Sequence, residues 1–215
     1  PREDLLGVLA LESHRHRCLI VGEDLGTVPD GFRERMEREA ILSYRFVRFE
    51  RLPDGLFRRP ETYPRLALAT PASHDLATLC GFWLGRDIDA MIEAGLVCAA
   101  DGAPLHAARA VERRQLVDAL ADRNLLPADF PDALTIDAAA MRALVDAVHG
   151  FLAQPPSALV MINIEELTGV EDQANLPGTV DSYPNWRRRL PLPVDAASLA
   201  ERLHATAAVL AGYGR

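Results

Sequence analysis

The sequence predicts an α/β fold built on a parallel sheet. Four short apolar runs, at residues 17–22, 42–49, 66–70 and 158–162, have the length and residue types of strands. Stretches with helical spacing separate most of them. The first run, Cys18-Leu19-Ile20-Val21, is continuous rather than alternating, as expected of a strand covered on both faces. Parallel neighbours need a crossover between them, so β-α alternation leads to a parallel sheet. Both an open doubly wound sheet and part of a barrel satisfy the pattern. No GxGxxG or GxxxxGK(S/T) follows any run, which counts against a nucleotide-binding sheet.

The elements follow in order. Residues 4–16 read as a helix, with Leu5, Leu6, Leu9 and Leu11 as its apolar stripe. The first strand ends at Glu23-Asp24. Thr27-Val28-Pro29-Asp30 marks a helix start with a capping threonine and an early proline, and the helix runs to about Glu39. The second strand carries Tyr44, Phe46, Val47 and Phe49. Residues 52–64 are a loop rich in Pro, Gly and charge. The third strand runs into Ser73-His74-Asp75, with a helix expected from Asp75 to Leu84. Further helices are expected at 87–96, 105–124 and 138–152, with a connection at 125–137. The fourth strand ends at Asn163, just before Glu165 and Glu166. Residues 168–189 are irregular, and 195–211 form a last amphipathic helix.

Composition narrows the function. The chain has 215 residues, 49% apolar and 25% charged, ordinary for a globular domain. Its formal net charge of −8 disfavours nucleic-acid binding but not a neutral ligand such as a sugar. Cys18, Cys80 and Cys98 are sparse and unpaired in spacing, which points to a reducing, cytoplasmic setting. No apolar run is long enough to span a membrane, and the charged start Pro1-Arg2-Glu3-Asp4 has no signal-peptide core. No Cys or His spacing suggests a metal site; His14 and His16 are too close in sequence to share a helical face.

Three strands stop at chemically able residues: Glu23-Asp24, His74-Asp75 and Asn163. Parallel β/α folds build active sites where strands end, so these groups are expected to converge. Carboxylates and a histidine without a metal motif suit glycoside chemistry. One carboxylic acid protonates the leaving oxygen, and another carboxylate traps or stabilises the sugar cation. Glu23, near Val21 and Leu25, is expected to be partly buried, which favours its protonated form. Asp24 either touches ligand or bonds to amides in the Gly26 turn. Trp186 either stacks on a sugar or packs its own loop. Phe82-Trp83 reads as core, and Arg187-Arg188-Arg189 as a solvated run.

Longer blocks bring a resemblance. Leu19-Ile20-Val21-Gly22-Glu23-Asp24-Leu25-Gly26-Thr27-Val28-Pro29 resembles the amylomaltase (disproportionating enzyme) family, glycoside hydrolase family 77. So do Ile41-Leu42-Ser43-Tyr44-Arg45, Ser73-His74-Asp75-Leu76-Ala77-Thr78-Leu79 and Asn185-Trp186-Arg187-Arg188. Asp4-Leu5-Leu6-Gly7 with Ala10-Leu11-Glu12-Ser13-His14 fits as well. The blocks keep the family's order over residues 3–193.

The resemblance implies a 4-α-glucanotransferase that moves α-1,4-glucan segments between malto-oligosaccharides by a retaining double displacement. It implies the C-terminal half of a (β/α)8 TIM barrel, strands five to eight, with residues 1–215 as part of one catalytic domain. Glu23 matches the general acid/base. Asp75 matches the carboxylate that holds sugar hydroxyls, with His74 as its hydrogen-bonding neighbour. Asn175 and Pro177 lie in a block similar to a loop near the donor sugar. The family nucleophile, an aspartate on strand four, falls before residue 1, and nothing here matches it.

Two other readings stand beside this one: an α-amylase-like hydrolase, and an inactive half-barrel whose open strand edges self-associate. No cofactor is expected, because carboxylate-based glycosyl transfer requires none.

Overall fold

The computed structural model describes residues 2–131 and 136–215. Helix α1 (Arg2–His16) leads into β1 (Val21–Gly22), α2 (Phe32–Arg38) and β2 (Leu42–Phe46). Then come β3 (Ala67–Thr70), α3 (Leu79–Leu84), α4 (Arg86–Glu93), α5 (Gly102–Ala121) and α6 (Ala138–Ala153). β4 (Leu159–Val160), α7 (Ile164–Thr168) and α8 (Ala197–Ala211) complete the order. The four strands form one sheet in the order β1-β2-β3-β4, and every pair is parallel. Val21 pairs with Leu42, Phe46 with Thr70 and Leu68 with Leu159, so all strands end on the same side. The chain is thus α/β around a parallel sheet, and none of its described helices is long and apolar enough to cross a membrane.

Several element bounds differ from expectation. The first and fourth strands shrink to two paired residues each, although single backbone bonds extend the pairing: the Leu42 amide donates to the Ile20 carbonyl and the Met161 amide to the Ala69 carbonyl, both at 2.9 Å. β2 stops at Phe46, and Val47–Phe49 turn into a single 3-10 turn. The helix expected from Thr27 starts at Phe32, preceded by Gly31 at φ 74° with no side-chain cap. The helix expected from Asp75 starts at Leu79, because Thr78 Oγ1 accepts the Gly81 amide at 2.9 Å and caps it there. A short helix, α7, was not expected after β4. Part of the expected 125–137 connection lies outside the described residues.

The core lies between β3 and the helices that follow it. Ala69 from β3, Phe82 and Trp83 from α3, Leu116 and Leu120 from α5, and Leu144, Val148 and Leu152 from α6 pack in one cluster. Phe82 and Trp83 are core residues, as read. α6 supplies more of this cluster than any other element because its apolar positions recur every three or four residues. Asp137 caps that helix by accepting the Ala139 and Ala140 amides at 2.9 and 2.8 Å. β1 departs from the two-faced burial its sequence suggested. Leu19 and Val21 are exposed, and so is the apolar stripe of α1 at Leu5, Leu9 and Leu11. β1 is an edge strand among the described residues, and nothing there covers its outer face.

Gly81 permits a close approach. A Cβ at this position would come within 2.1 Å of the Glu171 carbonyl oxygen, so α3 lies directly against the segment after α7. The edge strand is held by Asp24, whose carboxylate is completely buried. Its Oδ2 accepts from the Ser43 hydroxyl at 2.6 Å, Arg33 Nε at 2.9 Å and Arg45 Nη2 at 3.2 Å. Its Oδ1 accepts the Tyr44 amide at 2.9 Å, and its carbonyl accepts Arg33 Nη2 at 2.8 Å. Burial alone would raise the carboxyl pKa. The hydrogen bonds from Ser43, Tyr44 and Arg33, together with the Arg45 charge, outweigh that and hold it below the usual range.

Two buried groups give the fold opposing pH dependences. His149 on α6 is fully buried, and among the described residues neither ring nitrogen has a hydrogen-bond partner. Burial pushes its pKa from 6.5 to about 4. As pH falls through that window, the unfolded chain takes up a proton that the folded chain refuses, so stability drops. Glu166 behaves oppositely. Burial raises it from 4.5 to about 7, so the folded chain keeps a proton that the unfolded chain releases, and stability drops as pH rises through that window.

His149→Leu is expected to remove the acid-side loss. Urea unfolding should show the parent losing up to about 3 kcal/mol from His149 between pH 6.5 and about 4, and the variant lacking that component. An unchanged acid slope would place His149 in contact with water. Asp24→Ala removes the buried counter-charge of Arg33 and Arg45 and is expected to destabilise by about 3 kcal/mol. A shift in the urea midpoint near zero would show that β1 is held by its backbone pairing instead.

Candidate active site

The rim where the strands end is assembled from three loops. Glu23 follows directly after β1 and is exposed. The expected partial burial is absent, because β1 is an edge strand and nothing described lies beyond it. Tyr44, on the neighbouring strand, shares its surroundings. Burial raises the Tyr44 hydroxyl pKa, and the Glu23 charge raises it further. Asp24 differs from both expected readings. It neither faces solvent nor bonds to the Gly26 turn; its oxygens face β2 and the Arg33 guanidinium. In this geometry a direct contact with ligand is closed to it, since its side chain has no exposed surface.

The second loop, between β3 and α3, carries His74 and Asp75. Both are partly exposed, and His74 Nε2 lies 3.5 Å from Asp75 Oδ1. The third loop, after α7, brings Asn175 beside them. Asn175 Nδ2 donates to Asp75 Oδ1 at 2.6 Å, and the Asn175 amide donates to the His74 carbonyl at 3.0 Å. The Gln173 side-chain amide lies between the two segments, donating to the Asn175 carbonyl at 2.7 Å and the Asp75 carbonyl at 3.4 Å. Asp75 Oδ2 has no hydrogen bond among the described residues, so it can accept from a ligand hydroxyl.

Trp186 completes this cluster. The residue is 65% exposed, and its ring sits 5.0 Å from the His74 ring at 46°. It has φ 60°, uncommon for a bulky side chain, and its amide is tied to the Ala174 carbonyl at 3.0 Å. The turn beneath it is fixed by Asn185. That side chain accepts the Leu176 amide at 2.9 Å and donates to Thr179 Oγ1 at 2.8 Å. Arg188 is less solvated than expected of its run, pairing with Asp172 at 2.8 Å beside the Tyr183 ring. At the other end of the β3–α3 loop, Thr70 Oγ1 lies 3.1 Å from Asn163 Oδ1, joining the ends of β3 and β4.

Pro177 is exposed and lies on the wall of a cavity of about 400 Å3, along with Asp75, Arg48, Phe82, Asp87 and Gln173. The volume is of the size small-ligand pockets have. Four expected site residues, His74, Asp75, Asn175 and Trp186, therefore meet in one cluster. Pro177 adjoins it through the cavity, Glu23 stands on the same rim at β1, and Asp24 turns inward. An exposed carboxylate oxygen, an imidazole, an amide and an open indole face suit a neutral, hydroxyl-rich ligand. Gln173, a polar neighbour of the rim that no local motif marks, went unread; Tyr44 was read as a strand residue within a family-like block but not as a neighbour of Glu23.

Known proteins share this arrangement of sequence and fold. A family model described as 4-alpha-glucanotransferase, glycoside hydrolase family 77, matches residues 1–194. A 4-alpha-glucanotransferase of Haemophilus influenzae is 36% identical over 196 residues, covering 90% of this chain and 28% of that protein. One of Mycobacterium tuberculosis is 29% identical over 201 residues, covering 92% and 27% respectively. In the crystal structure of amylomaltase from Corynebacterium glutamicum, 28% identical, the match has a TM-score of 0.84 and covers 98% of this chain and 31% of that one. The chain thus spans under a third of the length of the relatives it matches. With its family match running from residue 1 to 194, the chain belongs to glycoside hydrolase family 77.

Proposed function

We propose that this chain is the C-terminal part of a retaining 4-α-glucanotransferase acting on malto-oligosaccharides. The Asp75–Asn175–His74–Trp186 cluster, on the same rim as Glu23, is the observation that carries the reading. Glu23 is the general acid/base. It protonates the glycosidic oxygen as a carboxylate from outside this chain attacks the anomeric carbon. The leaving glucan departs, and Glu23 then takes the proton of an acceptor hydroxyl whose oxygen displaces that carboxylate. Two displacements at one carbon retain its configuration. Asp75, through its open oxygen, holds sugar hydroxyls, and Trp186 offers a face to a sugar ring.

The strand order supports a half-barrel. Sequential parallel neighbours wind in one direction, as barrel strands do, whereas a doubly wound sheet reverses. On this reading residues 1–215 supply strands five to eight of one catalytic barrel, and the outer face of β1 meets the other half. The exposed α1 stripe and the exposed Leu19 and Val21 are consistent with it. Three free cysteines, one of them buried, suit a cytoplasmic enzyme.

In the full-length protein that contains this sequence, Glu23→Gln is expected to lower kcat for maltotriose disproportionation by about 10²–10⁴-fold. Near-normal turnover would remove Glu23 from the reaction. Free glucose together with longer glucans marks transfer; shortened glucans alone would favour the hydrolase reading. The isolated chain, with two open sheet edges, is expected to elute as a dimer or larger species on size exclusion. A strictly monomeric profile with cooperative unfolding would count against the half-barrel.

A further inference from the structure

Resting on the reading above, we propose that Glu166 and Arg48 are positioning residues for Asp75. They grip the loop that carries it, Glu166 through the Leu79 amide and Arg48 through the Ala77 carbonyl. Both Glu166 carboxylate oxygens accept the Leu79 N–H, at 3.1 and 2.9 Å. Arg48 Nη2 donates to the Ala77 carbonyl at 2.6 Å. Between these two points the Thr78 hydroxyl donates to the Val170 carbonyl at 2.6 Å. Three consecutive residues, only two to four positions past Asp75, are thus fixed to other parts of the rim.

Helix capping alone does not account for Glu166. α3 has six residues and already has Thr78 as its cap. Placing a carboxylate in the interior to serve one amide is a costly arrangement for so short a helix. Glu166 is 3% exposed, and burial pushes its carboxyl up to about 7. The Leu79 amide and the Arg48 charge pull it back, while the neighbouring Glu165 charge adds to the rise. Burial likewise lowers Arg48 to about 10, against the opposing charges of Asp87 and Glu166. Arg48 also lines the cavity that Asp75 borders, with its guanidinium 5.1 Å from the Phe82 ring. The two side chains therefore connect α7, just past the end of β4, to the wall beside the sugar-holding carboxylate. Asp75 Oδ2 has no hydrogen bond among the described residues, so a small rotation of its loop moves the most open acceptor it offers.

The test is a set of double-mutant cycles in the full-length protein, reading steady-state transfer between malto-oligosaccharides together with thermal unfolding. Glu166→Gln keeps shape and one acceptor oxygen; Arg48→Met keeps most of the side-chain length. Each is expected to lower kcat about tenfold with KM nearly unchanged, and to have almost no further effect once Asp75→Ala is present. A merely structural role predicts the same proportional loss in both backgrounds, and that outcome overturns the inference. So does unchanged kcat in a folded Glu166→Gln protein. If Glu166→Gln does not fold, the Arg48→Met cycle decides by the same criterion. Unchanged kcat in Asp75→Ala would sink the glucanotransferase site itself, and the inference with it. Loss of activity in Asp75→Ala with additive Glu166 and Arg48 effects would sink the inference alone.

Discussion

A strand with two paired residues has little backbone pairing to hold it at the edge of a sheet, and here one buried carboxylate adds bonds to β2 and α2. Asp24 takes a hydroxyl and an amide from β2, and it takes guanidinium groups from β2 and α2. Its neighbour Glu23 is consequently turned outward, because successive residues leaving a strand point to opposite sides. The position of the candidate acid/base thus follows from the burial of a residue whose own side chain has no exposed surface. A buried charge with this many donors is stable only as a complete set, which ties β1, α2 and β2 into one unit.

The rest of the rim follows a related rule with different parts. The β3–α3 loop and the segment after α7 have little regular structure, yet each is bonded to the other at several points. Asn175 holds His74 and Asp75 from one side, Gln173 from beneath, and Thr78 and Leu79 are held by Val170 and Glu166. Loops tied in this way acquire the rigidity of the sheet below them. That rigidity suits the proposed task of offering a few acceptors at fixed positions to a flexible sugar chain.

The sequence carried the frame well and the orientation of individual side chains poorly. Strand existence was legible because apolar runs of five to eight residues bounded by polar ones have few other uses. Their ends were less legible: β1 and β4 keep their apolar residues but lose most of their pairing. The apolar character of Leu19 and Val21 was legible too, although none of the described residues covers them. Glu23-Asp24 marked a site, but adjacency alone does not say which carboxylate turns inward. The alternation that decides it depends on where pairing stops. Likewise Glu165-Glu166 stood out as acidic, while the short helix that buries only the second one has no periodic signal of its own. Thr78 was a visible cap signal, and the reading that began the helix at Asp75 passed over it. Trp186 and His74 are 112 positions apart, and only the chain's path brings them together.

The contact at Gly81 has a consequence for how such a rim can diversify. A helix that admits no side-chain carbon at the point where a foreign loop crosses it has surrendered its independence from that loop. The two segments must be inherited, exchanged or redesigned together. A loop from a homologue grafted onto residues 169–189 alone would meet a surface shaped for the original. Substrate preference in this part of the fold is therefore expected to change in paired steps, one on each side of that crossing, rather than by drift in either loop alone.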